Sequence, residues 1–354
     1  MGPTMVHLPD EVIVEILLRL PVKSLLRFRS VSKSWLSLIS DPQFAKSHFE
    51  LAYARTDRLI YLTASRVRSL DPEASFHDDY AIVRLNFPLE LNFWLPTVGS
   101  CRGLLLFDNY PSLSLFVWNP STGVHKQVPY PAIVVFPFLF GLGYDPSTDD
   151  YLIVIASYDL EGDFGSAHFQ FFSLKTNSWK KIESDDFPYM NHMDETRAGA
   201  LTNGAIHWLA FRHDICQDVI VVFDLTEKNL REMPLPDAYD ILLDGCDFVV
   251  LGGFLCLCDN DGDTWVMKEY GVQSSWTRVD KVETPTSYFM PICHTKCGDT
   301  VGKDGRNGLL KFNHNGVLLE HREFCLDQHG CQVALYTESL LTLPLGEEGE
   351  DGQQ

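Results

Sequence analysis

Basic residues are scarce in this chain: 28 lysines and arginines stand against 48 aspartates and glutamates over 354 residues, a formal net charge of −20. Attraction to a phosphate backbone or an anionic membrane needs the opposite balance, so neither nucleic acid nor membrane is an expected partner. Long apolar runs are lacking as well, and none approaches the ~18 residues of a membrane-spanning helix. The opening stretch up to Leu8 has no apolar centre of a secretory signal, and Val6 stands where a myristoylation motif wants Ser or Thr. Pro120 directly follows Asn119 and spoils the Asn-x-Ser pattern there as a glycosylation acceptor. The chain is expected in the cytosol or the nucleus. In that setting its nine cysteines, an odd number, read as reduced thiols packed like small hydrophobes.

Catalytic signatures are missing too. There is no G-x-x-x-x-G-K-[ST], no G-x-S-x-G and no H-E-x-x-H, which leaves phosphate-loop, nucleophile-elbow and zincin chemistry without their parts. Cys293, Cys297, His314 and His321 superficially suggest a zinc finger, but their later gaps are too long and no ββα pattern surrounds them. Asp259-Asn260-Asp261-Gly262-Asp263 alternates carboxylates as a calcium loop does. Thr264 then replaces the required Gly and Tyr270 the bidentate Glu, so a hairpin turn is favoured. His207-Trp208 could line a pocket, though Trp at repeated strand positions is more often packing. No catalytic residue, metal or cofactor is expected.

What is present divides sharply. Hydrophobic residues make up 45% of the chain, enough for a sizeable core. Over residues 9–20 the apolar positions Val12, Ile13, Ile16, Leu17 and Leu20 share one helical face, with Pro9 at the start and Pro21 as the stop. A second helical stretch carries Leu25, Leu26, Phe28 and Val31. A third carries Trp35, Leu36, Leu38 and Ile39 before Asp41 and Pro42 end it. Three short helices are therefore expected within residues 1–50. They hold more large apolar side chains than so short a segment can bury by itself, so something else must cover them: their own following domain, as a cap, or another protein. Within residues 19–35 Arg19, Lys23, Arg27, Arg29 and Lys33 meet no carboxylate, a local basic face suited to an acidic partner.

Beyond about residue 58 the pattern changes to short apolar runs between turn signals, as in Leu104-Leu105-Leu106-Phe107 and Val219-Ile220-Val221-Val222-Phe223. Turn anchors recur: Ser69-Leu70-Asp71-Pro72, Trp118-Asn119-Pro120, Ser173-Leu174-Lys175-Thr176-Asn177, Phe223-Asp224-Leu225-Thr226, Tyr270-Gly271-Val272 and Phe312-Asn313-His314-Asn315. Their spacing of about 42 to 55 residues is close to that of propeller blades, and about six units result. The fold expected for residues 51–345 is a six-bladed, kelch-like β-propeller, with a β-sandwich as the alternative. Val333-Ala334-Leu335-Tyr336 is a candidate to close the ring by joining the first blade. Residues 346–354 read as a disordered acidic tail.

The segment Leu8-Pro9-Asp10-Glu11-Val12, Ile16-Leu17, Leu20-Pro21, Leu25-Leu26-Arg27-Phe28, Val31-Ser32-Lys33 and Trp35 closely resembles an F-box. The remainder resembles the F-box-associated, F-box/kelch-like interaction domain of plant F-box proteins. That likeness is carried by Cys101-Arg102-Gly103, Trp118-Asn119-Pro120-Ser121-Thr122-Gly123, Gly143-Tyr144-Asp145, Asn203-Gly204-Ala205-Ile206-His207-Trp208 and Tyr336-Thr337-Glu338-Ser339-Leu340, among others. The resemblance implies a non-catalytic subunit of a Skp–cullin–F-box ubiquitin ligase. Leu8, Pro9, Asp10, Val12, Ile16, Leu17, Leu20, Pro21, Leu25, Leu26, Arg27, Val31, Lys33 and Trp35 would meet the Skp-type adaptor and, through it, cullin and RING subunits. The β-domain would capture a target protein for ubiquitination.

Overall fold

The structure, a computed structural model, describes residues 8–51, 57–63, 66–89, 95–132, 135–158, 167–182, 187–190, 197–237, 245–259, 263–279, 288–305, 308–324 and 331–344. The expected acidic tail and the centre of the hairpin at residues 260–262 lie outside them.

Four helices open the fold, one more than the three expected: α1 (Asp10–Leu17), α2 (Val22–Phe28), α3 (Lys33–Ile39) and α4 (Pro42–Glu50). Pro9 and Pro21 each precede a helix, where a fixed φ and a missing N–H cost nothing. The fourth helix was concealed by reading Asp41-Pro42 as a stop. The Asp41 carboxylate in fact accepts from the Phe44 amide at 3.0 Å and Pro42 occupies the first turn, so the pair starts a helix. Leu17, Val22, Leu25, Ile39, Phe44, Ala45 and Phe49 form a small core, and Leu340 and Leu341 from the far end of the chain complete it.

The remainder is a ring of six sheets, each at its simplest a four-stranded antiparallel blade; the sandwich alternative is excluded by this topology. Blade 1 takes its innermost strand from the end of the chain. Gln332–Thr337 pairs with Asp57–Thr63, with Ile60 opposite Ala334 and Tyr61 opposite Val333. The ring is thus closed by the run picked out for that role. Blade 2 runs from Thr97–Cys101 to His125–Pro129, blade 3 from Val135–Asp145 to Ser178–Lys181, blade 4 from Ala200–Thr202 to Leu230–Met233, blade 5 from Asp247–Leu251 to Trp276–Val279, and blade 6 from Phe289–His294 to Leu318–Glu323. Each turn anchor read from the sequence falls between the third and fourth strands of its blade. One departure is a parallel pairing: Arg197–Ala198 lies beside Leu139 and Phe140 of blade 3 just before the chain enters blade 4.

The seams between blades carry the core. Phe169, Phe171, Trp208 and Phe223 pack between blades 3 and 4, and the Trp208 indole donates to the Phe140 carbonyl at 2.7 Å. Fully burying one such side chain contributes about 2 to 3 kcal/mol. His207-Trp208 is therefore packing, as the commoner reading had it.

Candidate functional site

The helices have two faces with different fates. α4 turns towards the propeller: Phe49 lies under the Arg102 guanidinium, 4.8 Å from ring centre, and Lys46 bonds Asp149 at 3.2 Å. α1 to α3 present the other side, where Leu8, Val12, Ile16, Val31 and Leu36 are 50%, 41%, 47%, 60% and 47% exposed. Val12 and Ile16 are spaced four residues apart, so they share one stripe along α1, and Leu8 lies just before its first turn. Pro9, Asp10, Pro21, Arg27 and Lys33 are exposed beside it, and Leu20, Leu26 and Trp35 are half-buried. Trp35 is steadied by an edge-to-face contact with Phe28, ring centres 5.5 Å apart.

Two residues expected on this face are elsewhere. Leu17 and Leu25 are fully buried, at 0% exposure, inside the helical core. They share the apolar period of their neighbours, but a short helix packed on two sides sends part of its stripe inward. Leu36, outside the expected set, belongs to the exposed face; its place in the helical pattern beside Trp35 was the signal. The basic stretch is also reduced. Arg19 pairs with Glu15 at 2.5 Å, and Arg29 turns in towards the Ile39 carbonyl at 3.4 Å. Lys23, Arg27 and Lys33 remain exposed.

The junction below the helices gathers residues distant in sequence. Arg102, with φ +49, stacks its guanidinium 4.1 Å from the Tyr144 ring centre and thereby lies between Tyr144 and Phe49. Tyr144 donates its phenol to Asp149, and that bond, with the Lys46 ammonium, holds the Asp149 carboxyl below the usual carboxylate range. Asn119 donates to the carbonyls of Ser339 and Leu341 at 3.1 and 2.9 Å while its own oxygen accepts from the Ser121 amide. Gly103 must be glycine: its φ is +85, and a Cβ there would lie 2.3 Å from the Ser339 Cβ. His48 ties α4 back to the turn between α1 and α2 by bonding the Leu20 carbonyl at 2.8 Å.

The opposite end of the ring, where second strands turn into third strands, carries exposed apolar side chains on its described turns. In blade 2 these are Tyr110, 53% exposed, and Leu113, 60% exposed with φ +47; in blade 4 it is Ile215, 47% exposed. A left-handed conformation is unfavourable for leucine by about 1 to 2 kcal/mol.

Among the described residues no three of His, Cys, Asp and Glu gather to hold a metal. Cys293 is buried between blades 6 and 1, its thiol pushed up to about 12 by desolvation, while His321 bonds Asp304 at 3.0 Å. His207 bonds the Ala200 carbonyl and, through its other nitrogen, the Tyr270 hydroxyl at 2.7 Å; burial lowers it to about 4. The His207–Tyr270 bond joins blade 4 to blade 5, and the others lie within single blades.

Two family models match: the F-box domain over residues 5–47 and the F-box associated beta propeller domain over residues 36–307. The F-box protein CPR1 of Arabidopsis thaliana is 33% identical over 351 residues, covering 89% of this chain and 82% of that protein. The F-box/kelch-repeat protein At3g23880 of the same plant is 29% identical over 336 residues, covering 87% and 88%. Among solved structures, a chain of a nidogen/laminin complex matches with a TM-score of 0.48 at 12% identity, covering 78% of this chain and 98% of that one, too distant to bear on function.

Proposed function

Because the chain belongs to the F-box proteins with an F-box associated β-propeller domain, we propose that it serves as the target-recognition subunit of a Skp–cullin–F-box ubiquitin ligase. The pairing of an F-box with a propeller supports the adaptor role. The finer assignment is that the face of Leu8, Pro9, Val12, Ile16, Val31 and Leu36 receives the Skp-type adaptor, and that the far end of the propeller holds a target protein. The observation that carries it is the exposure of the apolar side chains Leu8, Val12, Ile16, Val31 and Leu36 on and beside α1 to α3. Covering a half-exposed side chain of this size contributes about 1 kcal/mol, so five together suffice for a specific contact. Arg27 and Lys33 beside the row would steer an acidic partner.

Such a protein needs no nucleophile. Binding at two ends of one rigid body raises the effective concentration of target near the ligase's reactive partner. The adaptor would bring cullin and RING subunits, and the proposed site of action is the cytosol or the nucleus.

A cap reading of the helices draws on one observation, the seating of Leu340 and Leu341 in the helical core. It accounts for α4 and leaves the α1 to α3 face unexplained. The test is binding of purified Skp-type adaptor to the full chain and to Leu8→Ala with Pro9→Ala. Loss of binding with an unchanged melting temperature supports the assignment; undiminished binding refutes it. Removing the helices outright would uncover Leu340 and Leu341, so point substitutions are the cleaner instrument.

A further inference from the structure

At the seam between blades 3 and 4 the facing rows of side chains fuse into one apolar cluster. Between blades 5 and 6 they join only in part, through Met290 of blade 6. Leu251, Cys256, Cys258 and Met290 form one buried group, and Phe289, Leu310 and Phe312 form another. In the inner strand of blade 6 Pro291 removes a backbone donor and the register slips between Pro291 and Cys293. A cavity of about 320 Å³ lies at this seam, lined from both blades.

That volume lies within the range of small-molecule sites, which are mostly apolar with a few placed polar groups. Leu251, Cys256, Val266, Phe289 and Pro291 line it with apolar surface. Phe254 and Val279, each 46% exposed, stand at its edge. Polar atoms come from His294 and Thr300, which bond one another at 3.1 Å between the Thr300 hydroxyl and His294 Nδ1, and from Thr264. Burial lowers the His294 pKa, which keeps its ring neutral near pH 7. Gly252, with φ +58, forms the turn above the cavity, and a Cβ there would stand 3.9 Å from the His294 ring, so no side chain crosses the opening. None of the described lining residues carries a charge, so an anionic or cationic ligand would lose its hydration without compensation.

We propose that this cavity binds a small uncharged molecule, an apolar body of one or two rings bearing a single hydroxyl or carbonyl that reaches His294. The site is independent of the helical face and of the turns at the far end of the ring. Binding would tie blade 5 to blade 6 across a seam their own side chains fill only in part.

The experiment titrates the full chain with 2-naphthol, naphthalene and naphthalene-2-sulfonate, read by calorimetry and by melting temperature. Saturable binding of 2-naphthol at one site, with a raised melting temperature, is expected. Val279→Trp and Thr300→Trp, both at the solvent edge, should each weaken it at least about tenfold, and the sulfonate should bind at least about tenfold more weakly than the phenol. His294→Ala should weaken 2-naphthol and leave naphthalene unchanged. The proposal is overturned by non-saturable binding, by wild-type affinity in both tryptophan variants, or by a sulfonate that binds as well as the phenol. Circular dichroism of each variant reports that it is folded, and adaptor binding is scored separately.

Discussion

Asn119 in blade 2 holds Leu341 by a 2.9 Å hydrogen bond from its side-chain amide to the Leu341 carbonyl, across 222 residues of chain. Leu341 in turn packs among the helices, so this one amide fastens the closing end of the ring beneath the F-box. The segments that carried the family resemblance, Cys101-Arg102-Gly103, Trp118-Asn119-Pro120-Ser121 and Thr337-Glu338-Ser339-Leu340, meet at this place. They serve the junction between the two modules.

Asn119→Ala should therefore loosen the junction without opening the ring. It leaves two buried carbonyls without a donor, at about 1 to 3 kcal/mol for each such group. Hydrogen exchange should accelerate in α4 and in residues 338–343 and stay unchanged in blades 4 to 6. Gly103→Ala should act on the same segment more severely, through the clash with Ser339.

Burial separates two classes of leucine and isoleucine within the helices. Leu17→Ala should lower stability by about 3 kcal/mol, as expected for a cavity in a small core. Ile16→Glu, one residue away and half exposed, should leave the melting temperature within about a degree or two and abolish adaptor binding. Thermal unfolding and calorimetric titration of the two variants read both effects.

Much of the architecture was legible in the sequence because turns and strand periods are local. Pro9 marks a helix start by its own chemistry, Pro21, expected as the stop of the first helix, also begins the second, and the six turn anchors repeat because each blade must reverse its chain at the same point. Asp41-Pro42 shows the limit of that reading: the same two residues end one helix and begin another, and only the bond from the Phe44 amide decides between them. Leu17 and Leu25 show a second limit, since periodicity finds an apolar stripe but not which part of it turns inward. The junction was illegible for a different reason. Nothing local to Asn119 or Arg102 announces partners at Leu341 and Phe49, because those contacts exist only once the ring has closed.

His207 gives a pH signature. Its folded-state pKa is about 4, below the ordinary 6.5, because burial disfavours the imidazolium between the Tyr270 hydroxyl and the nearby Arg231. The unfolded chain takes the proton first as pH falls, so the stability this site contributes is complete above about pH 6.5 and is lost progressively towards pH 4, on the order of 3 kcal/mol. Chemical denaturation from pH 7 to 4 should show that decline. In His207→Leu the decline over this window should shrink, from a lower starting stability.

Leu113 pays a conformational cost on an exposed turn. Leu113→Asn, which tolerates the left-handed region, should raise stability by about 0.5 to 1 kcal/mol and weaken target capture, the pattern of a residue kept for contact. Melting temperature and recovery of bound target from cells expressing the full chain measure the two effects.

The most direct measurement is hydrogen exchange across the full chain with and without purified Skp-type adaptor. Protection confined to residues 8–36, strongest along α1 and at Val31 to Leu36, with the propeller unchanged, is the predicted result. Exchange in α1 to α3 that is the same with and without saturating adaptor would contradict the account.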